Sequence, residues 1–339
     1  MNADRTNALL PFPGSKRKLW PLIAALLGQV KPIGTWPETA FADVFLGAGN
    51  IALAAKTVGF GKVVANDIAE RSLITGRALI CNADTRLARH RALRLLQPAP
   101  EIHRKEPSVL QRLPAPADAV LRRCWAHLHG GTFVGVERDL MWLLALKLLL
   151  RCFPMSLPTA SDARHAAAGD FDRVSHRRLG HYLGAAAGVA RPGTLLRIAR
   201  SINEAIVPGA AEVHGLDVFD FLSRVEADVV YLDPPYGGTQ AYEKAFALVD
   251  EFIGVPPVPQ SAFSSRRPPL DDLVAACSHI PVLIFSINNS LLDEDGARAL
   301  VARHRRVERL VSVPYTHYRS VASAEKNRKN RELLVLGVR

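Results

Sequence analysis

Cysteines and long apolar runs are scarce in this sequence. Only four cysteines occur in 339 residues, and no two of them form a Cys-x-x-Cys pair. Disulfide frameworks and zinc ribbons need several closely spaced cysteines, so the sequence indicates a reducing, cytoplasmic setting without a structural metal. The longest apolar run, Leu140 to Leu150, is interrupted by Lys147. It is far shorter than the roughly 20 residues of a membrane span. We expect a buried helix there and no membrane partner.

Acidic residues are also in deficit. The chain carries 43 lysines and arginines against 32 acidic residues, a net charge of +11. Most of the excess lies between Cys81 and Ala210, where 19 basic residues face 10 acidic ones. A surface this basic attracts polyanions, so nucleic acid is the predicted partner. A general bias towards arginine is the alternative explanation.

Short apolar segments alternate with helical patterns at both ends of the chain. The predicted strands occupy residues 39–45, 62–68, 211–222 with 228–232, 281–287 and 332–338. Helical patterns cover residues 50–58 and begin again near residue 69. Alternation of this kind is typical of βαβ units, and it predicts an α/β fold with a doubly wound, mostly parallel sheet.

The strand pattern stops between these two ends. We predict that residues 1–82 and 211–339 form one α/β domain, interrupted by a basic, mainly helical insertion over residues 83–210. Residues 237–269 read as a second irregular stretch, with five prolines from Pro256 onward. A loop this long inside a domain is usually a functional lid or is disordered, so we predict a mobile loop there.

Two motifs indicate a nucleotide-like ligand. In FADVFLGAGN, Gly47 and Gly49 stand where a strand turns into a helix, which permits a tight turn and close approach of a ligand. In VVANDI, Asp67 ends the next strand 18 residues after Gly49. An acid at this place accepts hydrogen bonds from ribose hydroxyls in nucleotide-binding sheets. A simple turn and a helix N-cap are the alternatives.

A third motif, VVYLDPPYGG, runs an apolar strand directly into Asp233, Pro234, Pro235 and Tyr236. The prolines fix the backbone and therefore hold the Asp233 carboxylate in place. With a proline carbonyl, that carboxylate can accept both hydrogens of an exocyclic amino group, and Tyr236 can stack on the attached base. The motif favours chemistry at the amino nitrogen of adenine or cytosine; a plain strand-end turn is the alternative.

These motifs, in this order, resemble those of the Dam-type, D12-class DNA adenine-N6 methyltransferases, which use S-adenosylmethionine. PFPGSKRKLWPLI is similar to the family's opening motif, DVFLGAGN to its cofactor loop and NDI to its ribose acid. HGLDVFDFL, FSINNS and KNRELLVLG resemble segments around its later strands. The resemblance covers residues 11–82 and 211–338.

The resemblance implies a Rossmann-like methyltransferase sheet with an inserted target-recognition domain that binds DNA and presents a flipped adenine. It implies S-adenosylmethionine as methyl donor, S-adenosylhomocysteine as product and no metal. The implied cofactor-binding residues are Pro13, Gly14, Lys16, Asp43, Phe45, Gly47, Gly49, Asp67 and Asp217. The implied catalytic residues are Asp233, Pro234, Pro235 and Tyr236.

Two other functions stay open. Cytosine-N4 methylation uses a similar amino group, and a DNA-binding subunit that senses the cofactor without catalysis would keep the same pocket. Cytosine-C5 chemistry needs a nucleophilic cysteine, typically after a proline, and none of the four cysteines follows a proline. The family's N-R-x-x-F-N-G-like stretch has no counterpart in LKLLLRCFPMSLPTAS, so the sequence does not predict which bases are read.

Two further clusters receive structural interpretations. Cys124, His127 and His129 lack the second ligand set that a metal site needs, so we predict a structural role. An arginine group within residues 303–309 is interpreted as a solvated face, with phosphate contact as the alternative.

Overall fold

The computed structural model describes residues 5–11, 15–113, 115–152, 184–235, 242–256, 258, 261–265, 267–315 and 330–339. These residues form a seven-stranded sheet. In chain order its strands are β1 (Ala40–Asp43), β2 (Lys62–Asn66), β3 (Ala210–His214), β4 (Val229–Leu232), β5 (Val282–Asn288), β6 (Arg306–Pro314) and β7 (Arg331–Val338).

The strand order is β3-β2-β1-β4-β5-β7-β6. The strands from β3 to β5 run parallel, and β7 is antiparallel to both of its neighbours. The chain therefore moves outward from β1 to β3 and returns to the other side of β1 with β4. Ligands of open α/β sheets bind outside the carboxyl ends of the strands at such a reversal. The predicted mostly parallel sheet is confirmed.

Helices cover both faces of the sheet. The labelled helices are α1 (Trp20–Val30), α2 (Asn50–Val58), α3 (Glu70–Thr75), α4 (Arg89–Arg94), α5 (Ala117–His129), α6 (Gly135–Cys152), α7 (Pro192–Ala205), α8 (Val218–Leu222), α9 (Tyr242–Ile253), α10 (Leu270–Ala276) and α11 (Glu294–Ala302). A π-helical turn, Gly76–Cys81, continues α3.

Alternate residues of each central strand belong to two separate apolar cores. Strands β4 and β5 are buried along their whole length, as expected of parallel strands covered on both faces. One core joins the sheet to α1, α2, α6, α7 and α9. The other joins it to α8, α10 and α11. Burial of apolar area on both faces is what fixes the strand ends that carry the site.

Helix α6 confirms the buried helix predicted for the longest apolar run. Lys147 donates from Nζ to the carbonyl oxygens of Asn7 and Leu9 at 2.6 and 2.8 Å, so the charge that interrupts the run is hydrogen-bonded. Helices α6 and α7 share their core with α1 and α2, so they pack directly on the α/β layers. The boundaries of an inserted domain at residues 83 and 210 remain a prediction.

Two sequence interpretations are wrong in part. Within residues 237–269, the described residues 242–253 form α9, whose Phe246 and Phe252 are fully buried, so this stretch is not irregular throughout. The strand pattern of residues 211–222 divides into β3 and α8, because Asp217 accepts a hydrogen bond from the Phe219 amide at 2.9 Å and caps the helix.

The arginine group at residues 303–309 is not simply a solvated face. Arg306 begins β6, an edge strand that the sequence analysis missed because its residues are mostly half-buried or exposed. Arg305 is buried, and its guanidinium donates to the carbonyl oxygens of Cys277 at 2.7 Å and Ile280 at 3.2 Å.

No helix within the described ranges is both long enough and apolar enough to cross a membrane.

Candidate active site

A cavity of about 420 Å³ opens at the carboxyl ends of β1, β2 and β4. Nine of the predicted site residues line it: Lys16, Asp43, Phe45, Gly47, Asp67, Asp217, Asp233, Pro234 and Pro235. Gly49 lies in the same turn, directly before α2. Pro13, Gly14 and Tyr236 lie outside the described residues, so their predicted roles stay predictions.

The nine lining residues reach the cavity from distant positions in the sequence. They come from four places in the chain: the segment before α1, the loop after β1, the ends of β2 and β3, and the segment after β4. Parallel strands end at one edge, so residues far apart in sequence meet there.

The glycine turn after β1 has the backbone that its sequence predicts. Gly47 and Gly49 have φ angles of 52° and 81°, in the left-handed region that favours glycine. The Gly49 amide donates to the Leu46 carbonyl oxygen at 2.7 Å, which closes the turn. The loop thus passes close to the cavity before the chain enters α2.

Asp43 ends β1 as a buried carboxyl group, 1% exposed. Its Oδ2 accepts a hydrogen bond from the Ala52 amide at 3.1 Å, whereas Oδ1 has no partner of good geometry among the described residues. Burial, and next the nearby Asp233 carboxylate, raise the pKa of Asp43 from 3.8 to about 7. A cationic ligand in the cavity would favour the ionised form.

Asp67 ties the loops after β1 and β2 together. Its Oδ2 accepts from the Gly47 amide at 2.8 Å and its Oδ1 from the Ala69 amide at 2.9 Å. The residue at the N-cap of α3 is Ala69, so the alternative role of Asp67 as that N-cap is wrong. Burial raises its pKa, although both amides act in the opposite direction. Each carboxylate oxygen keeps acceptor capacity for a ligand hydroxyl.

Asn66 positions the loop that carries Asp217. Its side-chain amide donates to the Leu216 carbonyl oxygen at 3.1 Å, and its Oδ1 accepts from the Leu216 amide at 3.0 Å. The sequence analysis missed this residue. The available signal was an asparagine at the end of an otherwise apolar strand, since such a buried amide needs hydrogen-bond partners.

Lys16 connects the beginning of the chain to the Asp-Pro-Pro motif. Its Nζ donates to both Asp233 oxygens, at 2.8 and 2.9 Å, and lies 3.5 Å from Oε1 of Glu332. Glu332 is fully buried in β7 and accepts a hydrogen bond from the Ser286 hydroxyl at 2.7 Å. One ammonium group is thus shared by two carboxylates. Sequence reasoning did not find Glu332 or Ser286.

Aromatic rings form one wall of the cavity. The ring centroids of Phe45 and Phe263 are 5.4 Å apart in an edge-to-face arrangement, and those of Phe263 and Phe219 are 6.3 Å apart and stacked. Phe263 belongs to the predicted loop at residues 237–269. Phe219 is 37% exposed at the cavity and leaves a ring available to a flat ligand.

A buried ion pair supports another part of the cavity wall. Arg71 lines the cavity and donates from Nη1 to the two Asp250 oxygens at 2.8 and 2.6 Å. Its guanidinium also lies 4.4 Å from the centre of the Phe246 ring. This pair joins α3 to α9 beside Asp67. Because both charges are buried, removing either partner alone would leave an uncompensated charge.

Within the described residues, no group of three or more histidine, cysteine or acidic side chains is arranged to hold a metal ion. Cys124 is buried, and burial raises the pKa of its thiol to about 12. His127 contacts the Thr132 hydroxyl at 3.1 Å and the Gln97 carbonyl oxygen at 3.3 Å. These contacts give both residues a structural role.

The sheet order, the glycine turn after β1, the acids after β2 and β3 and the Asp-Pro-Pro segment after β4 together define a Rossmann-like methyltransferase fold. Residues 12–105 match the family described as D12 class N6 adenine-specific DNA methyltransferase. The resemblance predicted from the motifs is therefore confirmed over these residues.

A curated relative gives a consistent result. The chain is similar to the type II methyltransferase M2.HphI of Haemophilus parahaemolyticus, with 27% identity over 141 residues. The matched part covers 37% of this chain and 39% of that protein. The chain thus spans about two fifths of the length of the curated relative it matches.

Proposed function

We propose that the protein is a site-specific DNA methyltransferase that moves a methyl group from S-adenosylmethionine to N6 of an adenine flipped out of the double helix. The observation that carries the proposal is the position of Asp233, which follows β4 directly and lies at the cavity that Asp67 and Asp217 also line. An amino-group acceptor and a nucleotide-type site therefore share one space.

The cavity residues fit S-adenosylmethionine. Asp67 suits the ribose hydroxyls, Asp217 the adenine amino group, and Phe219 the adenine ring. The Asp43 carboxyl group, with a buried oxygen lacking a well-aligned donor, suits the positively charged part of the ligand. Lys16, with the neighbouring Pro13 and Gly14, suits its methionine end. When bound, this cofactor supplies a methyl group on a positive sulfur, so no metal is needed for activation.

The Asp-Pro-Pro segment suits the adenine amino group. Lys16 already donates to both Asp233 oxygens, which fixes the plane of the carboxylate. One of these oxygens and the Pro234 carbonyl accept the two amino hydrogens, and Tyr236 stacks on the base. Drawing on both hydrogens localises the nitrogen lone pair towards the incoming methyl group.

Transfer is a direct displacement in this proposal. When bound, the cofactor would supply its methyl carbon to N6 while the bond from sulfur to carbon breaks, and N6 would gain positive charge. The Asp233 carboxylate would stabilise that charge, and the extra amino proton would then pass to water. Holding the two reactants in line contributes several kcal/mol to the rate, and the rigid prolines serve that purpose.

DNA is the proposed partner of the basic segment. Exposed members of the 19 lysines and arginines between residues 81 and 210 would contact backbone phosphates, which makes binding sensitive to salt. Flipping the adenine costs a few kcal/mol, which these contacts offset. We propose residues 83–210 as the inserted target-recognition domain.

The test is a methylation assay with methyl-labelled S-adenosylmethionine and DNA, followed by digestion and identification of the labelled nucleoside. We expect the label in N6-methyladenine. Asp233→Ala should reduce the amount formed about 100-fold or more. Asp295→Ala, which changes an exposed acid on α11, should leave it unchanged. Label in N4-methylcytosine would contradict the adenine assignment. Bound cofactor without any labelled DNA would instead favour a cofactor-sensing subunit. Sequencing methylated bases in an expressing host then gives the target.

A further inference from the structure

A second cleft, of about 460 Å³, lies across α3 from the cofactor cavity. Consecutive residues of α3 face the two spaces, because Arg71 lines the cofactor cavity and Glu70 lines the second cleft. The other walls come from the end of α5, the first turns of α6 and the end of α9. The methylation mechanism proposed above assigns no role to this cleft.

Positive charge is in excess there. Three arginines line the cleft together with two carboxylates. Arg77 pairs with both of these acids, Glu70 at 2.6 Å and Asp139 at 3.0 Å. In the part of the chain that the structure describes, Arg104 and Arg138 form no ion pair with a carboxylate. Two guanidinium groups are therefore available to an external anion.

The position of Arg104 is fixed by uncharged acceptors. Its guanidinium contacts Nδ1 of His129 at 2.9 Å and donates to the Gly254 carbonyl oxygen at 3.0 Å. His129 is half-buried, and burial lowers its pKa; the charges of Arg104 and Arg138 lower it further. Both arginines thus lie near one imidazole whose pKa is lowered, and the three arginines of the cleft outnumber its two carboxylates.

We propose that this cleft binds a backbone phosphate of the DNA substrate, with Arg104 and Arg138 as the donors. The inference rests on the proposed function, because it takes DNA as the substrate. Guanidinium groups match the paired oxygens of a phosphate better than any other side chain. The first turn of α6 also lies at the cleft, and the positive end of its dipole adds to the attraction.

The position of the cleft agrees with a phosphate outside the flipped nucleotide. Helix α9 follows the Asp-Pro-Pro segment in the chain, and its last residue, Ile253, lines the cleft. Asp250 of the same helix pairs with Arg71, which lines the cofactor cavity, so the cleft lies about one helical turn of α9 beyond that cavity. The contact would hold the duplex in register while the target base leaves the stack.

The experiment measures binding of a labelled duplex by fluorescence anisotropy, without cofactor, from 50 to 250 mM salt. Arg104→Gln and Arg138→Gln are compared with Arg298→Gln, which removes an exposed arginine on α11 at the opposite face of the sheet. We expect each cleft variant to lower the slope of log affinity against log salt by about 0.9. At 0.1 M salt this corresponds to about eightfold weaker binding. Arg104→Lys, which keeps the charge, should retain the slope.

Equal slopes for the cleft variants and Arg298→Gln would overturn the proposal. A free phosphate compound is the other source of the same chemistry, so inorganic phosphate and adenosine monophosphate are titrated separately. Binding is followed by tryptophan fluorescence, since the Trp142 ring lies 5.1 Å from that of His129. Micromolar binding of either compound, with unchanged DNA slopes, would also overturn it. If the cleft variants lower the salt slope as expected but the parent protein forms no N6-methyladenine, the proposed function alone is refuted. If the parent protein forms N6-methyladenine but the cleft variants leave the slope unchanged, the phosphate site alone is refuted.

Discussion

Lys16 is the residue on which the charge balance of the site depends. It is the cation between Asp233 and Glu332, so these three ionised groups carry one net negative charge. In the proposed reaction, that charge would complement a positive sulfur in the ground state and a positive N6 during transfer. Because Glu332 and Ser286 lie in the sheet, the ammonium group is held by rigid elements rather than by a loop.

Replacing Glu332 by glutamine should affect turnover more than binding. Glu332→Gln keeps the side-chain shape and an acceptor for Ser286 but removes the second anion beside Lys16. We expect kcat to fall about tenfold, which corresponds to about 1.4 kcal/mol, with little change in KM for the cofactor. Steady-state kinetics with Glu294→Gln, an exposed residue of α11, as control would check this. A raised KM with unchanged kcat would contradict it.

Asp43 should make stability depend on pH. Its pKa of about 7 in the native state lies above the ordinary value of 3.8, so between these values the native state holds a proton that the unfolded chain has lost. This contribution is complete below about pH 4 and is lost as the pH rises through about 7. The free energy of unfolding of Asp43→Asn, relative to that of the parent protein, should therefore rise by on the order of 2 kcal/mol from pH 5 to pH 8.

Urea unfolding of both proteins at pH 5 and pH 8, without cofactor, would measure this difference in the free energy of unfolding. Asp295→Asn, an exposed substitution, serves as control. If the free energies of unfolding of Asp43→Asn and the parent differ by the same amount at pH 5 and pH 8, the prediction is wrong. Asp43 would then already be ionised in the native state at pH 5.

At the scale of elements, Arg305 joins the end of α10 to the edge of the sheet. It donates to the carbonyl oxygens of Cys277, which follows α10, and Ile280, which precedes β5. Cys277 and Ile280 lie in the turn after the helix, and Arg305 gives the carbonyl oxygen of each a buried donor. A position that resembles a surface charge in the sequence therefore has a packing role.

Arg305→Ala should destabilise the protein by about 2–4 kcal/mol, because the carbonyl oxygens of Cys277 and Ile280 each lose a buried donor and the packing of the arginine side chain is lost. Arg303→Ala removes an exposed ion pair with Asp271 and should cost less than about 1 kcal/mol. Chemical denaturation of both variants would compare them. If both variants lose the same free energy of unfolding, Arg305 contributes no more to stability than an exposed arginine does.

At the scale of the whole molecule, the residues that line the cavity and most of the excess basic residues lie in different parts of the chain. The cavity is built from the two ends of the sequence, whereas most of the excess positive charge lies between residues 81 and 210. The second cleft is where these parts meet, since its walls include α3 and α9 as well as α5 and α6. We therefore expect changes there to alter DNA affinity more than methyl transfer.

Local patterns were enough to predict much of the fold and the site. The glycine turn, Asp67 and the Asp-Pro-Pro segment each follow an apolar strand, and parallel strands bring their carboxyl ends to one edge. Edge strand β6 was missed because it has no apolar run, and α9 was missed because prolines follow it closely. Asn66 gave only a weak signal, since a single polar residue at a strand end is common.

The sequence by itself determined the class of fold, the order of the motifs and the chemistry that is proposed, because each depends on residues close together in the chain. Only the tertiary structure decided that Lys16 meets Asp233, 217 positions away, and shares its charge with Glu332 of the last strand. It also decided that Arg104 and Arg138 face one cleft and that Arg305 is buried. Such contacts depend on how the strands are ordered and how the helices pack, and no local pattern records either.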